Sequence, residues 1–174
     1  MATQKDSVGI GYVGNDMPLE YLLSQKRAGI VPYRIDQKGQ IRFIWGIDTG
    51  SSDITDLGGR TESNDRDSLD TAIREFREES FGVFGRITRD QIGRSLAIYR
   101  KDLLIIFVRL DYDPQVIMNL FQQRKQYSSR PEIDRLIEID KFELIKMVCN
   151  PGTMYEFIRI LIRDTLVRHG NFLC

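Results

Sequence analysis

The spacing of apolar and polar residues changes period several times along this chain, and each change marks an element. Residues 28–35 and 41–47 read as strands, with the polar turn 36–40 between them. The odd positions Ile41, Phe43, Trp45 and Ile47 share one face. This pattern predicts a hairpin with Trp45 in the core, a platform for a nucleobase being the alternative, and Pro32 makes the first strand edge-like. Residues 54–57 form a short strand that delivers Gly58 and Gly59. The pattern then takes a helical period from Asp67, a good N-cap, to Gly82, a helix stop.

Further strands are expected over residues 92–99 and 103–110. The second is almost entirely apolar and rich in β-branched residues, so it belongs in the centre of a sheet. Asp113-Pro114 opens a helix to about Tyr127, with Val116, Ile117, Leu120 and Phe121 inward. A loop ends at Glu132, and an apolar strand follows over 136–139. A last amphipathic helix runs from Met154 to about Arg168, with Phe157, Ile158, Leu161, Ile162, Thr165 and Leu166 inward. Residues 18–23 suggest a short helical turn.

Residues 1–7 read as loose. Gly9-Ile10-Gly11-Tyr12-Val13-Gly14 spells a dinucleotide-loop motif, but Asn15-Asp16-Met17-Pro18 follows where that motif needs a helix. It is read as a flexible glycine-rich lead-in. The whole is a single α/β domain, residues 1–174, with a mixed sheet between helices, a lead-in over 1–27 and a C-terminal helix within 152–170.

Composition alters this picture little. The 174 residues hold 25 basic and 25 acidic side chains, an even balance with no overall pull toward nucleic acid or an anionic membrane. Cys149 and Cys174 lack redox or metal-ligand spacing and are expected to be a buried thiol and a terminal one. No apolar run is long enough to span a bilayer, and the N-terminus lacks a signal pattern. The expectation is a cytoplasmic protein. His169, the one histidine, lies in a polar context and is expected at the surface.

The candidate chemistry lies in the helix that starts at Asp67. On a wheel of about 100° per residue its apolar stripe is Leu69, Ala72, Ile73 and Phe76. Asp70, Arg74 and Arg77 fall on one flank; Glu75, Glu78 and Glu79 fall on the other. Like charges at i, i+3 and i, i+4 cost roughly 0.2–0.5 kcal/mol per pair. A hard cation such as Mg²⁺ would cancel that repulsion. A solvated charged face, with Arg74 pairing Asp70 and Glu78, is the alternative. The glycine pair just upstream lets backbone approach a ligand closely.

Gly59 followed by Arg74-Glu75-Phe76-Arg77-Glu78-Glu79 and closed by Gly82-Val83 resembles the box of the Nudix hydrolases. That box runs Gly, five residues, Glu, seven residues, then Arg-Glu-aliphatic-x-Glu-Glu-x-Gly-aliphatic. This chain carries one extra residue before Arg74 and one before Gly82. The family's first box Glu therefore falls on Asp65 counted forward from Gly59, or on Arg66 counted back from Arg74. The likeness covers roughly residues 28–147.

The resemblance implies an α/β/α sandwich and a pyrophosphohydrolase that cleaves a diphosphate bond in a nucleoside diphosphate derivative with Mg²⁺ or Mn²⁺. It implies Glu75, Glu78 and Glu79 as metal ligands, with the Gly58 or Gly59 carbonyl added. Glu78 is also a candidate for the proton acceptor, and Arg74 orients the carboxylates. Glu132 is a second acid for base or metal. Arg60 is the best-placed cation for substrate phosphates, with Arg34 and Arg42 behind it. A capped RNA or a diphosphoinositol polyphosphate would suit the same chemistry, steered by Arg124, Lys125 and Arg130, although the net charge does not support RNA. A non-catalytic Nudix-like binding module is the third reading, and the intact acidic core argues against it.

Overall fold

The computed structural model describes residues 8–170 and residue 172. Its centre is a mixed sheet. The strands are β1 (Gly9–Tyr12), β2 (Arg27–Ile35), β3 (Ile41–Asp48), β4 (Ile54–Thr55), β5 (Leu57–Arg60), β6 (Leu96–Arg100), β7 (Leu103–Arg109) and β8 (Ile133–Asp140). The spatial order is β1-β6-β7-β2-β3-β4, with β5 also on β2 and β8 also on β3. Strands β2 and β7 are parallel, and the other pairs are antiparallel.

Two apolar layers enclose this sheet. Leu104, Ile106 and Val108 of β7 face one layer, where they meet Leu69, Ala72 and Phe76 of α2 (Ser68–Glu79) and Ile117 and Phe121 of the 114–125 helix. Leu103, Ile105 and Phe107 face the other, together with Leu144, Val148, Ile158, Leu161 and Ile162 from the last two helices. The expected α/β/α sandwich is what forms, and β7 is buried on both faces as its composition requires.

Several local expectations change. The glycine-rich lead-in is not loose from Gly9 on, because Gly9–Tyr12 pairs in register with β6, Gly9 opposite Tyr99. Residues 1–7 lie outside the described residues. Helix α1 (Leu19–Ser24) follows as expected.

Pro32 does not mark an edge: β2 is central. The backbone shows why. The Arg27 N–H and the Tyr33 carbonyl both bond on the β7 side, to Asp102 and Leu110. Pro32 has the opposite parity, so its nitrogen faces the other neighbour. There the ladder to β5 ends at Ile30 and the ladder to β3 begins at Tyr33. The missing N–H falls in a gap between two partners and costs no sheet bond.

Residues 92–95 are not strand. Thr88 and Gln91 form a reciprocal capping box that starts α3 (Arg89–Gly93), and β6 begins only at Leu96. Helix α4 (Pro114–Lys125) buries Ile117 and Phe121, while Val116 stays exposed. A helix that the apolar pattern did not show, α5 (Lys141–Cys149), starts at a second capping box, Asp140 with Glu143. Cys149 at its end is exposed, not buried, because Leu144 and Val148 take the inward face. Cys174 lies outside the described residues. Helix α6 (Glu156–His169) buries Ile158, Leu161, Ile162 and Thr165, while Phe157 is exposed. His169 is exposed as expected. Trp45 is fully buried, as the strand register predicted. Among the described residues no helix is long and apolar enough to cross a membrane.

Candidate active site at a fork in the sheet

Strand β4 pairs with β3, whereas β5, one residue later, pairs with β2. The chain crosses between ladders at Asp56. Asp56 is fully buried, and its carboxylate is bound at both oxygens by Arg27, at 2.6 and 2.9 Å. A second bond from Arg27 Nη2 reaches the Gly58 carbonyl at 2.8 Å. The lack of side chains makes this packing possible. Gly29 and Gly58 stand opposite one another, and a Cβ on Gly58 would lie 2.6 Å from the Ala28 carbonyl and 2.8 Å from Asp56 Oδ2.

Helix α2 lies across β5. Asp67 caps it, accepting from the Leu69 and Asp70 N–H groups. Its Glu79 accepts a 2.6 Å bond from the Gly58 N–H. Burial pushes the Glu79 carboxyl up to about 9, and the neighbouring Asp56 charge adds to the rise, although Arg27 opposes it. Glu75 sits over Gly59, where a Cβ would lie 2.6 Å from its Oε2. Its carboxyl is also raised, chiefly by burial.

Glu75 and Glu79 line a cleft of about 640 Å³ together with Gly58, Gly59, Arg60, Arg27 and Glu132. Tyr155, Asp48 and Asp53 complete the walls. Glu132 is exposed on the opposite wall. Its backbone carbonyl accepts from the Thr49 N–H at 2.8 Å, and Thr49 Oγ1 donates to the Pro131 carbonyl. The 49–53 loop is in turn wound around Asp48, whose Oδ1 accepts from the Gly50 and Ser51 N–H groups.

Arg74 ties this site to the loop before α2. It binds Asp65 through Nε and Nη2 at 3.1 and 2.9 Å, and donates to the Arg60 carbonyl, Glu75 Oε1 and, at 3.3 Å, Glu78 Oε2. Hydrogen bonds from Arg74 hold the Asp65 carboxyl down at about 2. Of the two positions that the register offered for the first box acid, Asp65 is the one that meets Arg74. Arg66 instead points to Asp70.

Other expected site residues are placed elsewhere. Glu78 is largely exposed, with 60% of its side chain open. It stands outside the cleft, on a shallow groove shared with Arg77 and Asp65, so the helical wheel grouped it with Glu75 and Glu79 more tightly than the fold does. Arg34 and Arg42 do not reach the cleft. Arg34 is held by both oxygens of Glu138, and Arg42 by Asp36 and Asp140, around a separate pocket. The side chain of Arg60 is exposed and lines the cleft. The Gly59 carbonyl takes part in the β2 ladder by its parity with Thr61, whose N–H bonds Lys26; Gly58 is the residue whose N–H and carbonyl turn away from that ladder. Arg27, Asp56 and Tyr155 were missed. Asp56-Leu57-Gly58-Gly59 carried a signal for Asp56, but nothing local pairs it with an arginine 29 positions away.

Among the described residues no three histidine, cysteine or acidic side chains converge into a ready-made metal cage. The chemistry of the donors still fits a hard cation. Glu75 and Glu79 offer only oxygens, and Glu79 with Asp56 places two buried carboxyls against one guanidinium. Mg²⁺ is characteristically held by one or two carboxylates plus substrate phosphates, not by an all-protein cage.

No family model matches the chain, and neither does any curated relative. Solved structures do. An Ap4A hydrolase from C. elegans, determined as a binary complex, matches with a TM-score of 0.51 at 19% identity over 85% of this chain and 99% of that one. A second structure of C. elegans Ap4A hydrolase gives 0.49 at 19% identity over 87% and 100%. The NUDIX domain of Shewanella oneidensis NrtR, complexed with ADP ribose, gives 0.47 at 11% identity over 89% and 96%. The fold is therefore of the class seen in the first of these, a mixed sheet between helix layers, along nearly its whole length.

Proposed function

We propose that this protein is a Nudix-type hydrolase that cleaves a diphosphate bond in a nucleoside diphosphate derivative with the help of a divalent cation. One observation carries this reading: the Arg-Glu-x-x-Glu-Glu helix brings Glu75 and Glu79 onto a glycine strand end, in a cleft that also holds Arg60 and Glu132. The fold shared with an Ap4A hydrolase supports it.

The roles follow from position. Glu75 and Glu79 would hold Mg²⁺ or Mn²⁺, with the Gly58 carbonyl beside them and Glu78 at the rim. The ion supplies charge neutralisation and Lewis acidity to the diphosphate when bound. Arg60, exposed at the end of β5, meets a phosphate as a planar fork of donors. Glu132 faces the carboxylates from the other wall and accepts the proton of the attacking water. Arg74 acts through others: it fixes Glu75 and Glu78 from behind and anchors the loop at Asp65. Arg27 and Asp56 set the backbone of Gly58, and through it the position of Glu79.

Chromatographic separation of the two phosphorylated products is the test, applied to nucleoside diphosphate derivatives, dinucleoside polyphosphates, capped RNA and diphosphoinositols, with Mg²⁺, with Mn²⁺ and with a chelator. Cleavage of at least one nucleotide, requiring the ion and lost in Glu79→Gln, is the expected result. Cleavage unaffected by chelation, or unaffected by Glu79→Gln, would overturn the assignment.

A further inference from the structure

The flank of α2 that faces away from the cleft borders a larger groove, about 810 Å³, between α2, α4 and the turn after α2. Five arginines line it: Arg66, Arg77, Arg86, Arg89 and Arg124. Asp70 is the one acidic residue among its walls. The charges do not cancel internally. Arg66 and Arg89 both bind Asp70, and Arg89 also reaches Asp67. Arg124 donates to the Phe81 carbonyl, and its charge has no counter-ion among the described residues. Arg77 and Arg86 are exposed and have no hydrogen-bond or ion-pair partner among the described residues. Five positive charges thus meet two negative ones in a chain whose formal net charge is zero.

Such a concentration costs self-repulsion and attracts an anion. Guanidinium forks match phosphate oxygens in particular. The floor between them is not polar. Ile73 and Phe81, both partly buried, lie among the arginines, and the turn there passes through Gly82 and Gly85, both at positive φ, so no side chain fills it. A ligand of phosphates alone has no use for an apolar floor, whereas a nucleotide strand presents bases to rings and phosphates to arginines.

We infer that this groove binds the phosphodiester backbone of a single-stranded nucleic acid, at a site separate from the cleft and independent of the reaction proposed there.

The probe is a fluorescently labelled twelve-nucleotide oligouridylate, followed by anisotropy in a chelating buffer so that nothing is cleaved. Wild-type protein should bind it with an affinity that falls as salt rises. Single strands contribute a log–log slope of about 0.7 per neutralised phosphate, so five arginines set an upper bound of about 3.5. The doubly substituted Arg77→Glu, Arg86→Glu protein should bind more than tenfold more weakly and with a smaller slope. Arg77→Ala with Arg86→Ala, which adds no acid, should lie between, and thermal melts check that both remain folded. An excess of a dinucleoside tetraphosphate, which would fill the cleft, should leave the oligonucleotide bound. Three results would each overturn the inference: no wild-type binding at 100 mM salt; both variants binding as the wild type does; or displacement of the strand by stoichiometric cleft ligand. Tripolyphosphate that competes as well as the oligonucleotide at equal phosphate would assign the groove to bare phosphate chains and overturn the choice of a nucleic acid.

Discussion

Gly58 and Gly59 are adjacent and equally small, yet alanine at the two positions should fail in different ways. A Cβ on Gly58 runs into backbone: the Cα of Gly29 and, at 2.6 Å, the carbonyl of Ala28. Backbone of a central ladder cannot yield without parting β2 from β5. Overpacking of this kind costs about 1–3 kcal/mol, and this case belongs at or above the top of that range. The three atoms nearest a Cβ on Gly59 all belong to the carboxylate end of Glu75, with Oε2 at 2.6 Å. Glu75 swings aside by about 1 Å to restore ordinary contact, and the reduced freedom of the unfolded chain returns about 0.4–1 kcal/mol. Stability should therefore be nearly unchanged. Activity should not be, because a 1 Å misplacement of a catalytic group can cost about a hundredfold. Urea melts in the presence of a chelator give the stabilities, and formation of the mononucleotide product at saturating Mg²⁺ gives turnover per folded molecule. Gly58→Ala should lower the midpoint sharply; Gly59→Ala should keep it and lose turnover. A Gly59→Ala protein with wild-type turnover, or a Gly58→Ala protein with a wild-type midpoint, would refute the close packing described for β5.

Further expectations follow from the same site. Glu79→Gln should raise the metal-free melting temperature while lowering catalysis by orders of magnitude. A carboxyl raised to about 9 destabilises the fold progressively as pH rises from about 4.5 toward 9, so the chelated wild type should lose stability over that window and the variant should lose less. Mg²⁺ at a hundredfold excess over its dissociation constant should add about 2.7 kcal/mol to the wild type and less to the variant, read from the same melts. Asp65, held at about 2 by Arg74, stabilises the fold fully above its ordinary value near 3.8, and that contribution, about 2 kcal/mol, should be lost as pH falls through 2; Asp65→Asn should flatten this acid limb. Asp56→Asn leaves Arg27 half-paired in the interior and should cost about 3–5 kcal/mol in a denaturant melt. Glu132→Gln should lower kcat more than it changes KM, and unchanged turnover would return Glu132 to ordinary surface.

The legible parts of the fold were those where a period speaks for itself. Residues 103–108 are apolar on both faces because two helix layers cover them, and the alternation that put Trp45 inward is the alternation of the finished strand. The box helix showed its N-cap, its stripe and its acidic flank. Pairing between distant segments was not legible. Nothing near Pro32 reveals that β2 changes partners beside it. Nothing in Gly9–Tyr12 announces an edge strand, because its stabilising contacts come from β6. Arg27 and Asp56 are unremarkable apart and decisive together. Asp140 and Glu143 did spell a capping box, and reading it would have revealed α5. Glu78 lies farther from Glu75 and Glu79 than the wheel suggests, because a wheel assigns angles and not where a side chain rests; its carboxylate accepts from Arg74.

The cleft takes its walls from Arg27, the 48–60 segment, α2, Glu132 and Tyr155, so no contiguous piece of the chain holds a working site. Emerging from a ribosome, the carboxylate helix is finished long before the segment that carries Tyr155, whose N–H bonds the Ile54 carbonyl. The paired strands β3 and β8 are likewise far apart along the chain. Synthesis order alone keeps this cleft incomplete until nearly the whole described chain is available, so premature termination upstream of Tyr155 leaves an intact acidic motif without its complete cleft.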